Sequence, residues 1–296
     1  MKNLLIGQSG GPTAAINATL AGVVEQAFIS GEVDKIYGAR YGIKGVINDN
    51  LTEIGAALKD PQALINLSKT PSSALGSCRF KLPHHEKDPE IYKTIFATFA
   101  RYNIGYFIYI GGNDSMDTVN KLSCYATEQN LDIRIMGAPK TVDNYIYGMD
   151  HSPGFGSAAR YIATTFSELW LDASVYDVPT ITIVETMGRH VGWLCASAAL
   201  ARKNGDAPHL IYMPEIPFEY EKFLEDVKEQ LALHPAVVIA ISEGIRKADG
   251  SFVSEDGRNA RVDSFGHKSM GGACHVLDDF LSERIEGAKI RCIDLS

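Results

Sequence analysis

The stretch Gly105–Glu128, GYFIYIGGNDSMDTVNKLSCYATE, contains the pattern that decides the fold. Its first six residues form an apolar and aromatic run with no polar alternation, as expected of a strand buried on both faces. Two glycines stop the run. Asn113-Asp114-Ser115 then leads into a helix-length amphipathic segment, Met116–Glu128. Outward from this unit the same order recurs. Strand-like runs fall at Leu4–Gly7, Asp132–Met136, Thr180–Val184, His209–Met213, Ala236–Ile241 and Lys289–Leu295. Between them lie predicted helices at Ala14–Ile29, Pro89–Tyr102, Ser157–Asp172, Val191–Lys203, Glu219–Leu233 and Gly272–Glu286. Alternation of this kind predicts an α/β fold with a mainly parallel sheet. Arg246–Asp263, polar and glycine-containing, reads as a surface excursion. The last strand has no helix after it to cover it.

The chain has 296 residues, 45% of them hydrophobic, which is enough for one large core or two smaller ones. Its net charge is −8, from 28 Lys and Arg against 36 Asp and Glu, and its pI is about 5.5. No block of basic residues marks a surface for nucleic acid or an anionic membrane, so an anionic ligand must be met by local cations. No stretch is long and apolar enough to span a bilayer, and the apolar run in MKNLLIGQSGG is too short for a signal peptide. The five cysteines, Cys78, Cys124, Cys195, Cys274 and Cys292, form no CxxC pair. That spacing argues against disulfides and a structural zinc, and for a reducing cytoplasm.

The residues that follow the strands carry the chemistry. Leu4–Gly7 ends in Q-S-G-G-P-T, Gly105–Ile110 in G-G-N-D-S, and Asp132–Met136 in G-A-P-K-T-V-D-N. Thr180–Val184 ends in E-T-M-G-R-H and Ala236–Ile241 in S-E-G. In open parallel sheets ligands bind outside the carboxyl ends of the strands. Small residues there let backbone N–H groups approach a phosphate, favoured by the helix dipole. Each piece alone has a plainer reading. The glycines can be tight turns, Asp114 or Ser115 a helix cap, Lys140 a solvated cation, Asp143 a turn residue, and Arg189 half of a surface ion pair. His190 has no partner in ligand spacing and reads as structural. Five such ends in one chain favour a ligand cleft.

The motifs SGGPTAAIN, LGSCRF, GGNDSMDT, PKTVDN, DHSPGFGSAARY, ETMGRHVGWL and SEG, in this order and spacing, resemble the phosphofructokinase family, and more closely its diphosphate-dependent branch. The resemblance runs from Lys2 to about Ser296. It implies two Rossmann-like lobes with the active site in the cleft between them: residues 1–150 binding the phosphoryl donor and 151–296 the sugar phosphate. The implied reaction is glycolytic phosphoryl transfer from diphosphate to the C1 hydroxyl of fructose 6-phosphate, with Mg²⁺, in a cytoplasmic dimer or tetramer, with no part for nucleic acid or membrane. On matching positions, Gly11, Arg79, Gly112 and Ser115 hold the donor. Thr141, Met187, Gly188, Arg189 and Glu243 hold the sugar phosphate, and Asp143 is the general base.

Two positions separate the donors. ATP-using relatives commonly carry glycine where this chain has Asp114 and Lys140. A carboxylate at 114 intrudes on the space of a nucleotide α-phosphate, and an ammonium at 140 suits a compact diphosphate. Other positions depart from the family pattern. Asn113 stands near the catalytic metal where many members carry aspartate, and Tyr145 replaces the last aspartate of a D-N-D triplet. Mg²⁺ prefers charged oxygens, so these changes imply a metal held mostly by diphosphate and water. Thr180 replaces an arginine that reaches a neighbouring subunit's sugar phosphate in ATP-using relatives. The chain is also expected to end before the family's Gln-Arg-Gly-type segment. An ATP-dependent 6-phosphofructokinase, and a chain that keeps the ligand cleft without turnover, remain as alternatives.

Overall fold

The computed structural model describes residues 1–257 and 272–295, together with all side chains in those ranges except that of Asn204. The chain divides into two compact units, Met1–Thr141 and Val142–Ser296.

The first unit runs β1 (Lys2–Gln8), α1 (Ala14–Ser30), β2 (Val33–Ala39), α2 (Ile43–Ile47), β3 (Leu51–Glu53), α3 (Pro61–Lys69), α4 (Pro89–Arg101), β4 (Ile104–Gly111), α5 (Asn113–Glu128) and β5 (Arg134–Pro139). Its five-stranded sheet has the order β3-β2-β1-β4-β5, with only β2–β3 antiparallel. Successive side chains of a strand point to opposite faces, and here both faces are covered. Leu5, Phe107 and Tyr109 pack with Ile43, Tyr92, Ile95, Phe99 and Leu122 of α2, α4 and α5. Leu4, Ile6 and Ile110 pack with Ile16, Leu20 and Val24 of α1 on the other face. This double burial is why the β4 run shows no alternation. Each fully buried large side chain contributes roughly 1.5–3 kcal/mol of transfer free energy.

The second unit repeats the logic with α6 (Phe155–Ala173), β6 (Thr180–Thr186), α7 (Trp193–Ser197), β7 (Leu210–Tyr212), α8 (Tyr220–Leu233), β8 (Ala236–Ser242), α9 (Ala273–Ser282) and β9 (Lys289–Asp294). Its four strands are parallel, in the order β7-β8-β6-β9. On β8, Ala236, Val238 and Ala240 face α6 and α7, while Val237, Ile239 and Ile241 face α8 and α9.

The structure revises the expected elements in several places. β2, α2, β3 and α3 carry no strong pattern in the sequence. β3 covers β2 only along Tyr37–Ala39, so Asp34 and Lys35 remain exposed and polar. β5 lies two to three residues later than expected and includes Pro139, which an edge strand tolerates. The helix expected over Val191–Lys203 is α7 followed by a 3₁₀ segment, Ala198–Asn204. There Ser197 Oγ donates to Leu194 O at 2.6 Å, competing for a carbonyl that an α-helix would use. Within Arg246–Asp263, Val253 is fully buried in the core around Ile245 rather than lying on the surface. Residues 258–263 of that stretch lie outside the described residues. β9 is an edge strand, half-buried at Ile290, Arg291, Cys292 and Ile293 and exposed at both ends.

In the first sheet the chain leaves β1 for β2 on one side and takes up β4 on the other. α1 and α5 lie on opposite faces. The loops after β1 and β4 therefore part at a topological switch point, where open α/β sheets bind ligands.

Candidate active site

The loop after β1 is tied to its neighbours by hydrogen bonds. Ser9 N donates to Ile110 O at 2.9 Å and Gly10 N to Cys78 O at 3.3 Å. Ser9 Oγ also donates to Cys78 O at 2.9 Å, and Ser77 Oγ to Gly10 O at 2.5 Å. These bonds fix Arg79, one residue beyond Cys78 and exposed, beside the Ser9–Gly11 turn. The β4 turn comes close: a Cβ on Gly10 would lie 3.6 Å from Gly112 N. Gly112 caps α5 and Ser115 is buried in its first turn, with Ser115 N donating to Gly112 O at 3.0 Å. Asn113 and Asp114 are exposed at the start of the same helix.

Lys140 closes this end of the sheet. Its backbone N donates to Gly111 O at 2.8 Å, and its side chain, only 9% exposed, donates to the carbonyl of Gly11. The N-terminal ends of α1 and α5 and the Lys140 ammonium thus meet beyond three adjacent strands, β1, β4 and β5. Three centres of positive potential held together by the backbone suit an anion. A Cβ on Gly11 would meet nothing within 4 Å, so no packing inside the chain demands a glycine there. Gly11, Arg79, Gly112, Ser115 and Lys140 are therefore gathered at one place. Thr141, half-buried, ends this unit.

In the second unit the ends of β6 and β8 are tied to each other. Glu243 N donates to Thr186 O at 2.9 Å, Gly188 N to Glu243 Oε1 at 3.1 Å, and Ser242 Oγ to Gly188 O. Burial raises the Glu243 carboxyl above its ordinary pKa. The charges of Glu185 and Asp143 act in the same direction, while the Gly188 bond and Arg189 oppose them. His190 is lowered by burial and by the cations of Arg246 and Arg189, against the pull of Asp143. Asp143, Glu243, Arg189 and His190 therefore share one electrostatic neighbourhood. Met187 is 40% exposed beside them, and Gly188 is buried.

Asp143 is half-buried, and the next residue fixes its backbone. Asn144 adopts a φ of 65°, a left-handed conformation that asparagine tolerates better than most residues. Its Nδ2 donates to Asp150 O at 3.0 Å and its Oδ1 accepts from Ser152 N at 2.7 Å. Sequence reading passed over Asn144, although an Asn directly after a candidate base is a visible turn signal. It also passed over Arg246. One Arg246 terminal nitrogen donates to Arg189 O at 3.2 Å and lies 2.9 Å from His190 Nδ1, and the guanidinium stacks 4.5 Å from the centre of the Phe252 ring. No spacing in the sequence links residues 189, 246 and 252. His190, expected to be structural, belongs to this cluster.

Comparison with known proteins agrees with the geometry. The phosphofructokinase family profile matches residues 3–293. A pyrophosphate–fructose 6-phosphate 1-phosphotransferase of Xanthomonas campestris is 41% identical over 278 residues, 93% of this chain and 65% of that protein. The protein of the same name from Methylococcus capsulatus is 39% identical over 288 residues, 96% of this chain and 67% of the relative. The crystal structure of a pyrophosphate-dependent phosphofructokinase from Marinobacter aquaeolei superposes with a TM-score of 0.79 at 35% identity, covering 99% of this chain and 68% of that one. The chain thus spans about two thirds of the length of the relatives it matches. Profile, relatives and the two sets of strand-end loops agree: this chain belongs to the phosphofructokinase family.

Proposed function

We propose that the protein catalyses reversible phosphoryl transfer from diphosphate to the C1 hydroxyl of fructose 6-phosphate, giving fructose 1,6-bisphosphate and phosphate. The observation that carries this reading is the near-buried Lys140 ammonium, held on the Gly11 carbonyl at the end of the sheet where α1 and α5 begin. The relatives' names supply the donor and acceptor.

In this reading Gly11, Arg79, Gly112, Ser115 and Lys140 bind diphosphate through the first unit. Thr141, Met187, Gly188, Arg189 and Glu243 bind the sugar phosphate. Phosphoryl transfer asks for in-line positioning and charge neutralisation rather than covalent help from the protein. Asp143 accepts the C1 hydroxyl proton as the sugar oxygen bonds to phosphorus and the bond to the leaving phosphate breaks. Asn144 keeps that carboxylate in place by locking the turn behind it. The exposed Asp114 carboxylate at the start of α5 disfavours a nucleotide's additional phosphate by charge and volume.

Mg²⁺ fits the oxygen donors present. Asn113 and Asp114, both exposed, would hold the ion through one amide and one carboxylate oxygen, the hard donors that Mg²⁺ takes. When bound, the ion supplies charge neutralisation on the diphosphate. A homo-oligomer in the cytoplasm belongs to the same reading.

The test is an assay for fructose 1,6-bisphosphate from fructose 6-phosphate with magnesium diphosphate, and in parallel with magnesium ATP. Turnover with diphosphate alone is expected. Turnover with ATP alone overturns the donor, and calorimetric sugar-phosphate binding without turnover on either donor overturns the enzyme.

A further inference from the structure

The spacing of the cysteines argues against a metal site, yet the fold brings two of them together. Cys274 lies in the first turn of α9 and Cys292 on β9, and Cys292 Sγ donates to Cys274 O at 3.0 Å. The ligand atoms of Cys274, His275 and Cys292 all lie within 4.8 Å of one another. A fourth group adjoins them: Asp278 Oδ2 is 3.7 Å from Cys292 Sγ. Cys274 and Asp278, four residues apart on α9, share one helix face.

We propose that Cys274, His275, Cys292 and Asp278 form a binding site for a thiophilic divalent cation of the zinc type. The donor chemistry decides the class. Two thiolates, an imidazole and a carboxylate suit zinc, whereas magnesium takes hard oxygens. The geometry requires little movement. Tetrahedral zinc with bonds of about 2.0–2.3 Å places its ligand atoms roughly 3.5–3.8 Å apart, so these atoms need to close by about 1 Å. His275 is exposed and free to turn its ring, while Cys274 is buried and Cys292 half-buried, leaving one side open for entry.

The surroundings orient the ligands. Asp278 Oδ1 accepts from Ser282 Oγ at 3.0 Å, which leaves Oδ2 toward Cys292. The buried Glu185 carboxyl group accepts from Cys274 N at 2.9 Å, which fixes the backbone beside the thiols. Binding a cation releases the thiol protons of Cys274 and Cys292 to solvent. The ion would tie the start of α9 to β9, next to Glu185, which lies on β6 two residues before Met187. This role is structural and does not rest on the proposed reaction.

The experiment uses the whole protein, kept reduced and stripped of metal with a chelator, then titrated with Co²⁺ and with Zn²⁺. One Co²⁺ per chain is expected, with the near-ultraviolet thiolate charge-transfer band and the visible bands of a tetrahedral site, all displaced by Zn²⁺. Cys292→Ser halves the charge-transfer intensity. His275→Gln, a change at an exposed position, keeps that intensity and weakens Zn²⁺ binding by at least about 10–100-fold, the range already reached when only an outer-shell partner of a ligand is lost. Zinc also raises the thermal midpoint of the wild-type protein. The absence of a charge-transfer band, or a band of full intensity in Cys292→Ser, overturns the site. If Cys292→Ser does not fold, unchanged zinc affinity in His275→Gln overturns it.

Discussion

The two units end their strands in glycine-containing loops of opposite character. In the first, a Cβ on Gly11 would meet nothing within 4 Å, and the Lys140 ammonium is held on the Gly11 carbonyl. In the second, the loops are bound to each other. Glu243 and Ser242 hold Gly188, and a Cβ on Gly244 would lie 2.2 Å from Arg189 O. Gly11 leaves room for something outside the chain, whereas Gly188 and Gly244 leave room for the chain itself. The same sequence signal, a glycine after a strand, thus records either a ligand or a fold, and only the surrounding atoms separate them.

Four experiments sharpen or break this contrast. Asp143→Asn removes the proposed proton acceptor from the second unit and lowers kcat about 10³–10⁴-fold, the upper range for a general base. The thermal midpoint and calorimetric binding of both substrates stay unchanged. A loss of tenfold or less would falsify the role given to Asp143.

Gly244→Ala forces a methyl group against backbone and destabilises the protein by about 2–4 kcal/mol, read as a shift in the urea midpoint. Gly11→Ala leaves that midpoint alone and raises the KM for diphosphate instead. Equal midpoint shifts in the two variants would erase the distinction between the loops.

Lys140→Met removes the ammonium but keeps the stem. The KM for diphosphate rises about 100-fold, as expected for one charge-assisted contact of roughly 1.5–3 kcal/mol. The KM for fructose 6-phosphate moves little. Equal loss on both substrates would place the lysine outside the donor set.

The smallest effect concerns pH. His209 Nδ1 accepts from Val238 N at 3.0 Å, and burial, aided by His234, lowers its pKa to about 4. The unfolded chain takes up a proton near pH 6.5, the folded one only near 4, so stability is full above 6.5 and declines as pH falls through this window. His209 is half-buried, so solvent screening discounts the loss to about 1–2 kcal/mol by pH 4. Urea midpoints at pH 7 and pH 5 for wild type and His209→Gln measure it. An identical slope in both proteins rules the imidazole out.

Much of the fold was legible because both faces of the central strands are apolar. β4 and β8 appear as unbroken runs, and their ends mark where the functional loops begin. Residues 33–69 were not legible. β2 is half exposed, β3 is three residues long, and α3 buries none of its residues fully. Among the candidate residues, Gly11 and Lys140 of the first unit and Asp143 and Glu243 of the second are visible as residue types that follow strands. Asn144 and Arg246 act through a left-handed turn and a stacked guanidinium, which need a backbone conformation and a distant ring to have meaning. The zinc-type cluster is the clearest case. Residues 274 and 292 are separated by the rest of a helix and a turn, and no local motif joins them.

The amino-acid order by itself determined the alternation of strands and helices, the two-sided burial of the sheets and the polar loops at the strand ends. These follow from hydrophobic periodicity and turn chemistry, which act over a few residues. Tertiary structure alone decided which strands are neighbours, which glycines face solvent, and which side chains from remote segments share a field or a metal. Those outcomes depend on distances through space, and a linear spacing does not encode them.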